Sequence, residues 1–193
     1  MLIVIEGLDN SGKNSVVEEL CKRYSGFKKL DFPDYSSNLG QLIKEELLSG
    51  RLEPLPLQLL FSSERLSKRQ LVLDLSTQHI VITTRYSYSA IAYGTARGIQ
   101  EYLLHELEKS MPKPDMKFFL DITPQESIRR SLEADVLESN FDLLCNVHSI
   151  YKHIIQNEKD WIVIDAMKEL KIVVDLVEHE ILSMSKEFHV DKK

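Results

Sequence analysis

Short apolar runs alternate with longer amphipathic ones along the chain. Residues 2–5 form a continuous apolar run rich in β-branched side chains, the pattern of a parallel strand covered on both faces. After a turn at 7–12, Val16, Val17, Leu20 and Cys21 recur at helical spacing over 15–24. Residues 27–32 read as a second strand stopped by Pro33. Leu39, Leu42, Ile43, Leu47 and Leu48 share one helical face, and Gly50 ends that helix. A single long helix is expected over 57–75, introduced by Pro54 and Pro56. Residues 80–82 predict a third strand, 86–94 and 99–109 two helices, and 116–120 a fourth strand. Thr123 and Pro124 suit the N-cap and first position of a helix over 125–132. A helix over 141–156, a strand over 161–164 and a helix over 170–184 complete the pattern. The polar tail from 186 is expected to fray.

Five short apolar strands separated by helices predict an α/β domain built on a five-stranded parallel sheet flanked by helices. Right-handed crossovers would place every strand C-terminus along one edge, outside which ligands bind. No repeat, low-complexity segment or linker divides residues 1–193, so one domain is expected. The 24 basic and 30 acidic side chains give a net charge of −6. That balance argues against a broad nucleic-acid or anionic-membrane surface, but leaves room for a local pocket for a small anion. No apolar run approaches the roughly 18–20 residues of a membrane span. The start MLIVIEG lacks the basic flank of a signal peptide. A cytoplasmic protein is the expectation, with Cys21 and Cys145 as separate reduced thiols. The six histidines form no ligand cluster, and the charge run 106–109 reads as a solvated helix face.

The sharpest motif is Gly7-Leu8-Asp9-Asn10-Ser11-Gly12-Lys13-Asn14, which matches G-x-x-x-x-G-K between a first strand and a first helix. Gly7 and Gly12 let the backbone fold into a nest of inward-pointing N–H groups. The helix N-terminus favours an anion there, and Lys13 supplies full charge to the β- and γ-phosphates of a nucleotide. Residues 7–15, through Ser15, are thus the candidate ATP site. Asn14 stands where a hydroxyl usually meets magnesium. Its amide oxygen is the candidate metal ligand, because Ser15 faces about 100° further around the helix. For an acceptor, Phe32 and Pro33 end the second strand, Phe61 and Arg65 lie four apart on a helix, and Arg85 follows the third strand. An aromatic face with a guanidinium one turn away suits a stacked base, and Arg85 suits a phosphate. Phe61 as ordinary core, and Arg65 and Arg85 as solvated or structural groups, are equally compatible with the pattern alone.

The sequence resembles the thymidylate kinases over nearly its whole length. The likeness rests on Ile3-Val4-Ile5-Glu6-Gly7-Leu8-Asp9, Phe32-Pro33 with Gly40 and Leu48, and Leu60-Phe61 with Arg65. It continues through Arg85-Tyr86, Ser89, Ala92-Tyr93-Gly94, Lys113-Pro114-Asp115, Leu120-Asp121 and Asp165-Ala166. The resemblance implies a P-loop nucleoside monophosphate kinase fold, a homodimer packed through helices, and transfer of the γ-phosphoryl of Mg-ATP to dTMP. It also implies roles: Asp9 at the acceptor sugar, Phe61 stacked on thymine, Arg65 beside the base, Arg85 on the acceptor phosphate. Ser89 falls within the matched acceptor segment, and Tyr93 would pack under the deoxyribose. The apolar sides of 39–48 and 57–75 are candidate dimer surfaces, although burial within one chain gives the same pattern.

Four departures fall on catalytic parts. Asn14 replaces the loop hydroxyl, Thr84 stands in place of an Asp, and Tyr35 replaces a phosphate-binding arginine. The lid segment, about 129–140, carries Glu133, Asp135 and Glu138 but no arginine beyond Arg129 and Arg130, which become the candidate transition-state cations. Three readings fit these departures: an active thymidylate kinase using Arg129 or Arg130, a kinase for another nucleoside monophosphate, and a nucleotide-binding protein without turnover.

Overall fold

The computed structural model describes residues 1–131 and 141–184. In chain order the elements are β1 (Leu2–Glu6), α1 (Lys13–Arg23), β2 (Phe27–Asp31), α2 (Asn38–Ser49), α3 (Pro54–Ser67) and α4 (Arg69–Gln78). There follow β3 (Ile80–Thr84), α5 (Ser87–Ala96), α6 (Glu101–Glu108), β4 (Met116–Asp121), α7 (Pro124–Arg129), α8 (Phe141–Asn157), β5 (Trp161–Asp165) and α9 (Leu170–Met184). The strands form one sheet in the order β2-β3-β1-β4-β5, and every pairing is parallel.

The central position of β1 explains its unbroken apolar run. Successive side chains point to opposite faces. Ile3 and Ile5 join Val16, Val17 and Leu20 of α1, whereas Leu2 and Val4 join Val72 of α4 with Phe32 and Tyr86. Each such side chain contributes roughly 1.5–3 kcal/mol when fully buried. At the sheet's edge β5 is less covered, and Val163 is 45% exposed.

The apolar stripe expected as one helix over 57–75 is two helices. Lys68 leaves helical geometry (φ −99°, ψ 3°) between α3 and α4. Its Nζ donates to Asp34 at 2.8 Å and lies 3.0 Å from Glu64. Leucines recur on both sides of Lys68, so periodicity alone cannot register the break. The helix expected over 125–132 is α7. Its Thr123 cap is as read, the hydroxyl accepting from Glu126 N at 3.2 Å, but the helix ends at Arg129.

All five strands end on one edge, at Glu6, Asp31, Thr84, Asp121 and Asp165. The segment after β2 is held there by close backbone packing. A Cβ on Gly40 would lie 1.9 Å from the Asp34 carbonyl oxygen. Gly40→Ala is therefore expected to push the 34–35 segment away from α2 and to destabilise the protein by about 1–3 kcal/mol, read as a lower urea midpoint.

Candidate active site

The turn after β1 forms a concave phosphate loop. Gly7 takes φ +148°, where a Cβ would sit 2.6 Å from the Leu120 carbonyl oxygen. Asn10 and Gly12 also have positive φ, 59° and 90°, so successive N–H groups turn inward. Lys13 is buried and folds back over this loop. Its Nζ donates to Gly7 O (3.0 Å), Leu8 O (2.5 Å) and Ser11 Oγ (3.2 Å). These acceptors are neutral. Burial pulls the amine's pKa down to about 8, against the upward pull of the Glu6 carboxylate. An anion in the loop would restore what the amine lost in leaving water.

Helix α7 clamps the loop from outside. Ser127 Oγ donates to Asp9 O at 2.7 Å, and Asn10 Nδ2 donates to Ser127 O at 3.1 Å. Arg130 sits at the end of this helix. Its Nε donates to Glu126 at 2.6 Å and a terminal nitrogen to Ala166 O at 2.9 Å, and it lines the cavity over the loop with Gly12, Lys13 and Asn14. Arg129 makes a two-point pair with Glu126 at 2.6 Å, but its side chain is 72% exposed. Of the two arginines put forward as transition-state cations, Arg130 is the one at the loop. Ser15 lines the same cavity. The rest of the expected lid, 132–140, lies outside the described residues.

A second cavity, of about 210 Å³, opens beside the first. Pro33, Phe61, Arg65, Arg85, Ser89 and Tyr93 line it, and so does Phe32, although Phe32 is chiefly core, edge-on to Tyr86 at 5.8 Å. Phe61 is only half-buried, so it is a cavity wall rather than core. Arg65 is buried and fixed by Glu108 through Nε (3.0 Å) and a terminal nitrogen (2.7 Å). Ser62 donates to the same carboxylate at 2.7 Å. The charge run at 106–109 is therefore not all solvated face: Glu108 turns inward to hold Arg65.

Arg85 has φ +61°, a conformation that strains a side chain with a Cβ. Its guanidinium is ion-paired with Asp9 and lies 5.5 Å from the Tyr93 ring centre, as does that of Arg97. Burial raises the Tyr93 phenol pKa, and the two guanidiniums oppose it. Asp9 and Arg85 line both cavities. Beneath them, the fully buried Glu6 accepts from Tyr86 N (2.8 Å) and Ser89 N (3.2 Å) through one oxygen. Its other oxygen accepts from Ser89 Oγ (2.5 Å) and the Tyr151 hydroxyl (2.9 Å). Ser89, put forward as a substrate contact, thus reaches the cavity wall while its hydroxyl is committed to Glu6.

The departures from the expected pattern meet one another. Thr84 Oγ1 donates to Asn14 Oδ1 at 3.1 Å, so the amide oxygen put forward as a metal ligand already has a protein partner. Tyr35, at 44% exposure, lies at the rim of the second cavity. No group of three or more His, Cys, Asp or Glu able to hold a metal occurs among the described residues. Sequence reading missed Glu108, Tyr151, Ser127 and Arg97. Glu108, Tyr151 and Ser127 each act through a partner on a distant element, so nothing local marks them. Arg97 lies four residues after Tyr93, a helical spacing that could have been read.

Comparison with known proteins gives a consistent result. A family profile described as thymidylate kinase matches residues 5–177. The thymidylate kinase of Dictyostelium discoideum is 29% identical over 191 residues, covering 95% of this chain and 84% of that protein. The thymidylate kinase of Caenorhabditis elegans is 37% identical over 145 residues, 67% of this chain and 66% of the other. A solved structure of thymidylate kinase from Candida albicans superposes with a TM-score of 0.82 at 26% identity, covering 99% of this chain and 96% of that one.

The buried amine of Lys13 has a consequence for stability. Its pKa is lower folded than unfolded, so the unfolded state binds more protons between about pH 8 and 10.5, and this residue's contribution to stability rises with pH there. Lys13→Met should be more stable than the parent at pH 7. The gap should narrow by about 1–2 kcal/mol by pH 9.5, measured by urea unfolding of both proteins at each pH.

Proposed function

The chain belongs to the thymidylate kinase family, whose reaction moves the γ-phosphoryl group of ATP to dTMP, and from that premise we propose how its own residues divide the work. The observation that carries the reading is that Asp9 and Arg85 line both cavities. ATP occupies the loop cavity and dTMP the other, and the reacting phosphates meet at this pair.

In this reading the loop N–H groups and Lys13 hold the β- and γ-phosphates. Arg85 turns its fork from Asp9 to the acceptor phosphate, which frees the Asp9 carboxylate for the sugar hydroxyl. Phe61 stacks on thymine, Arg65 lies beside the base with its orientation set by Glu108, and Tyr93 packs under the deoxyribose. A phosphate monoester has a second pKa of about 6, so the attacking oxygen of dTMP is already ionised at neutral pH and no general base is needed. That oxygen bonds to the γ-phosphorus as the bridge to the β-phosphate breaks, giving dTDP and ADP. Catalysis is positioning and charge stabilisation. Arg130 is the nearest candidate for the charge developing between the nucleotides. When magnesium accompanies ATP, it neutralises phosphate charge.

Exposed leucines support a homodimer: Leu55, Leu59 and Leu66 on α3, and Leu42, Leu47 and Leu48 on α2. We assign the cytoplasm as the site of action; no helix among the described residues is long and apolar enough to cross a membrane.

The test is an acceptor panel with Mg-ATP. ADP release should require dTMP and exceed that with other nucleoside monophosphates. Lys13→Ala should lower the rate by about 10²-fold or more, and Arg85→Ala should lower kcat/KM for dTMP by about 10³-fold. ATP binding without turnover on any acceptor would contradict the proposal.

A further inference from the structure

Asn14 follows the phosphate loop and Thr84 ends β3 beside it, and they form one neutral hydrogen-bonded unit at 3.1 Å. Magnesium in nucleotide sites is ordinarily held by one or two carboxylates together with substrate phosphates and water. The carboxylates on the cavities that Asn14 lines are Asp9, Asp31 and Asp34. Each already faces a cation. Asp9 pairs with Arg85, Asp31 lies 3.1 Å from Lys29, and Asp34 lies 2.8 Å from Lys68. The Asn14 amide oxygen is a neutral donor with one lone pair already engaged by Thr84, so positions 14 and 84 offer a metal no charged oxygen. The residues present do not fit a protein-held magnesium ion.

The loop cavity holds positive charge of the protein's own instead. Lys13, Arg85 and Arg130 all line it. Arg85 is paired with Asp9 and Arg130 with Glu126, and Lys13 is without an ionic partner among the described residues. Lys168 lines the adjoining cavity beside Ala166. These groups do by fixed charge part of what a protein-anchored cation would do.

We propose that the Asn14–Thr84 pair makes nucleotide binding by this chain tolerant of metal: protein cations grip the triphosphate, and any divalent ion is held by the nucleotide and water alone. The inference rests on the ATP-binding reading of the loop given above. It makes Asn14 and Thr84 determinants of metal dependence rather than ligands. Restoring a carboxylate at 84 should restore dependence on the ion, because a charged oxygen would then share the metal with the phosphates.

The experiment is calorimetric titration of the full chain with ATP in excess EDTA and in millimolar magnesium, without acceptor. The parent should bind ATP in EDTA within about fivefold of its affinity in magnesium. Thr84→Asp should widen the ratio to about tenfold or more in favour of magnesium, the scale of effects seen when groups around a metal are changed. Asn14→Ser combined with Thr84→Asp should widen it at least as far. Parent affinity more than about twentyfold greater with magnesium would overturn the inference while leaving the ATP site intact. So would a folded Thr84→Asp protein with an unchanged ratio. Failure to bind ATP in either buffer would remove the ATP-site reading itself, and this inference with it. The parent's ratio needs no variant, so the test stands even if Thr84→Asp does not fold.

Discussion

A carboxylate with no access to water stabilises a fold only if its oxygens are met by donors. Glu6 meets that condition through Tyr86 N, Ser89 N, Ser89 Oγ and the Tyr151 hydroxyl. The consequences reach the whole site. The contacts tie the end of β1 to the start of α5 and to α8. They pin the chain directly after Arg85, whose left-handed backbone needs surrounding structure to hold it. Arg85 in turn reaches Asp9, three residues beyond Glu6 on the phosphate loop. One buried carboxylate thus aligns the phosphate loop with the second cavity, with the Asp9–Arg85 pair lining both.

The same logic of paired charge runs through the rest of the site. Arg65 is set by Glu108, Arg130 by Glu126 and the Ala166 carbonyl. Two cations differ: Arg97 lies over the Tyr93 ring, and Lys13 rests on neutral oxygens, with its pKa falling to about 8. Arg65 and Arg130 are therefore held in place by protein partners before any substrate enters. That is the arrangement expected where catalysis depends on fixed charge rather than on a covalent intermediate.

Some of this was legible in the sequence. The phosphate loop follows from Gly7, Gly12 and Lys13 between a strand and a helix, because backbone geometry dictates those residue types. The parallel sheet follows from the apolar runs, since central strands must be buried on both faces. Long-range pairing was not legible. Glu108 sits in a charged stretch that looks solvated, and only its distance from Arg65 across two helices shows its role. The break at Lys68 hides within a continuous apolar stripe. Asn14 and Thr84 read as two separate anomalies seventy residues apart, and become one feature when β3 is laid beside β1.

The two cavities share Asp9 and Arg85, an arrangement that would seat two nucleotides side by side. The most direct measurement is the affinity of a single ligand in which adenosine and thymidine are joined through a five-phosphate bridge. If the cavities meet as described, one such molecule should bind per chain, at least about 100-fold more tightly than ATP or dTMP alone, because the second half binds at high effective concentration. An affinity no greater than that of the tighter half would contradict this arrangement of the two cavities.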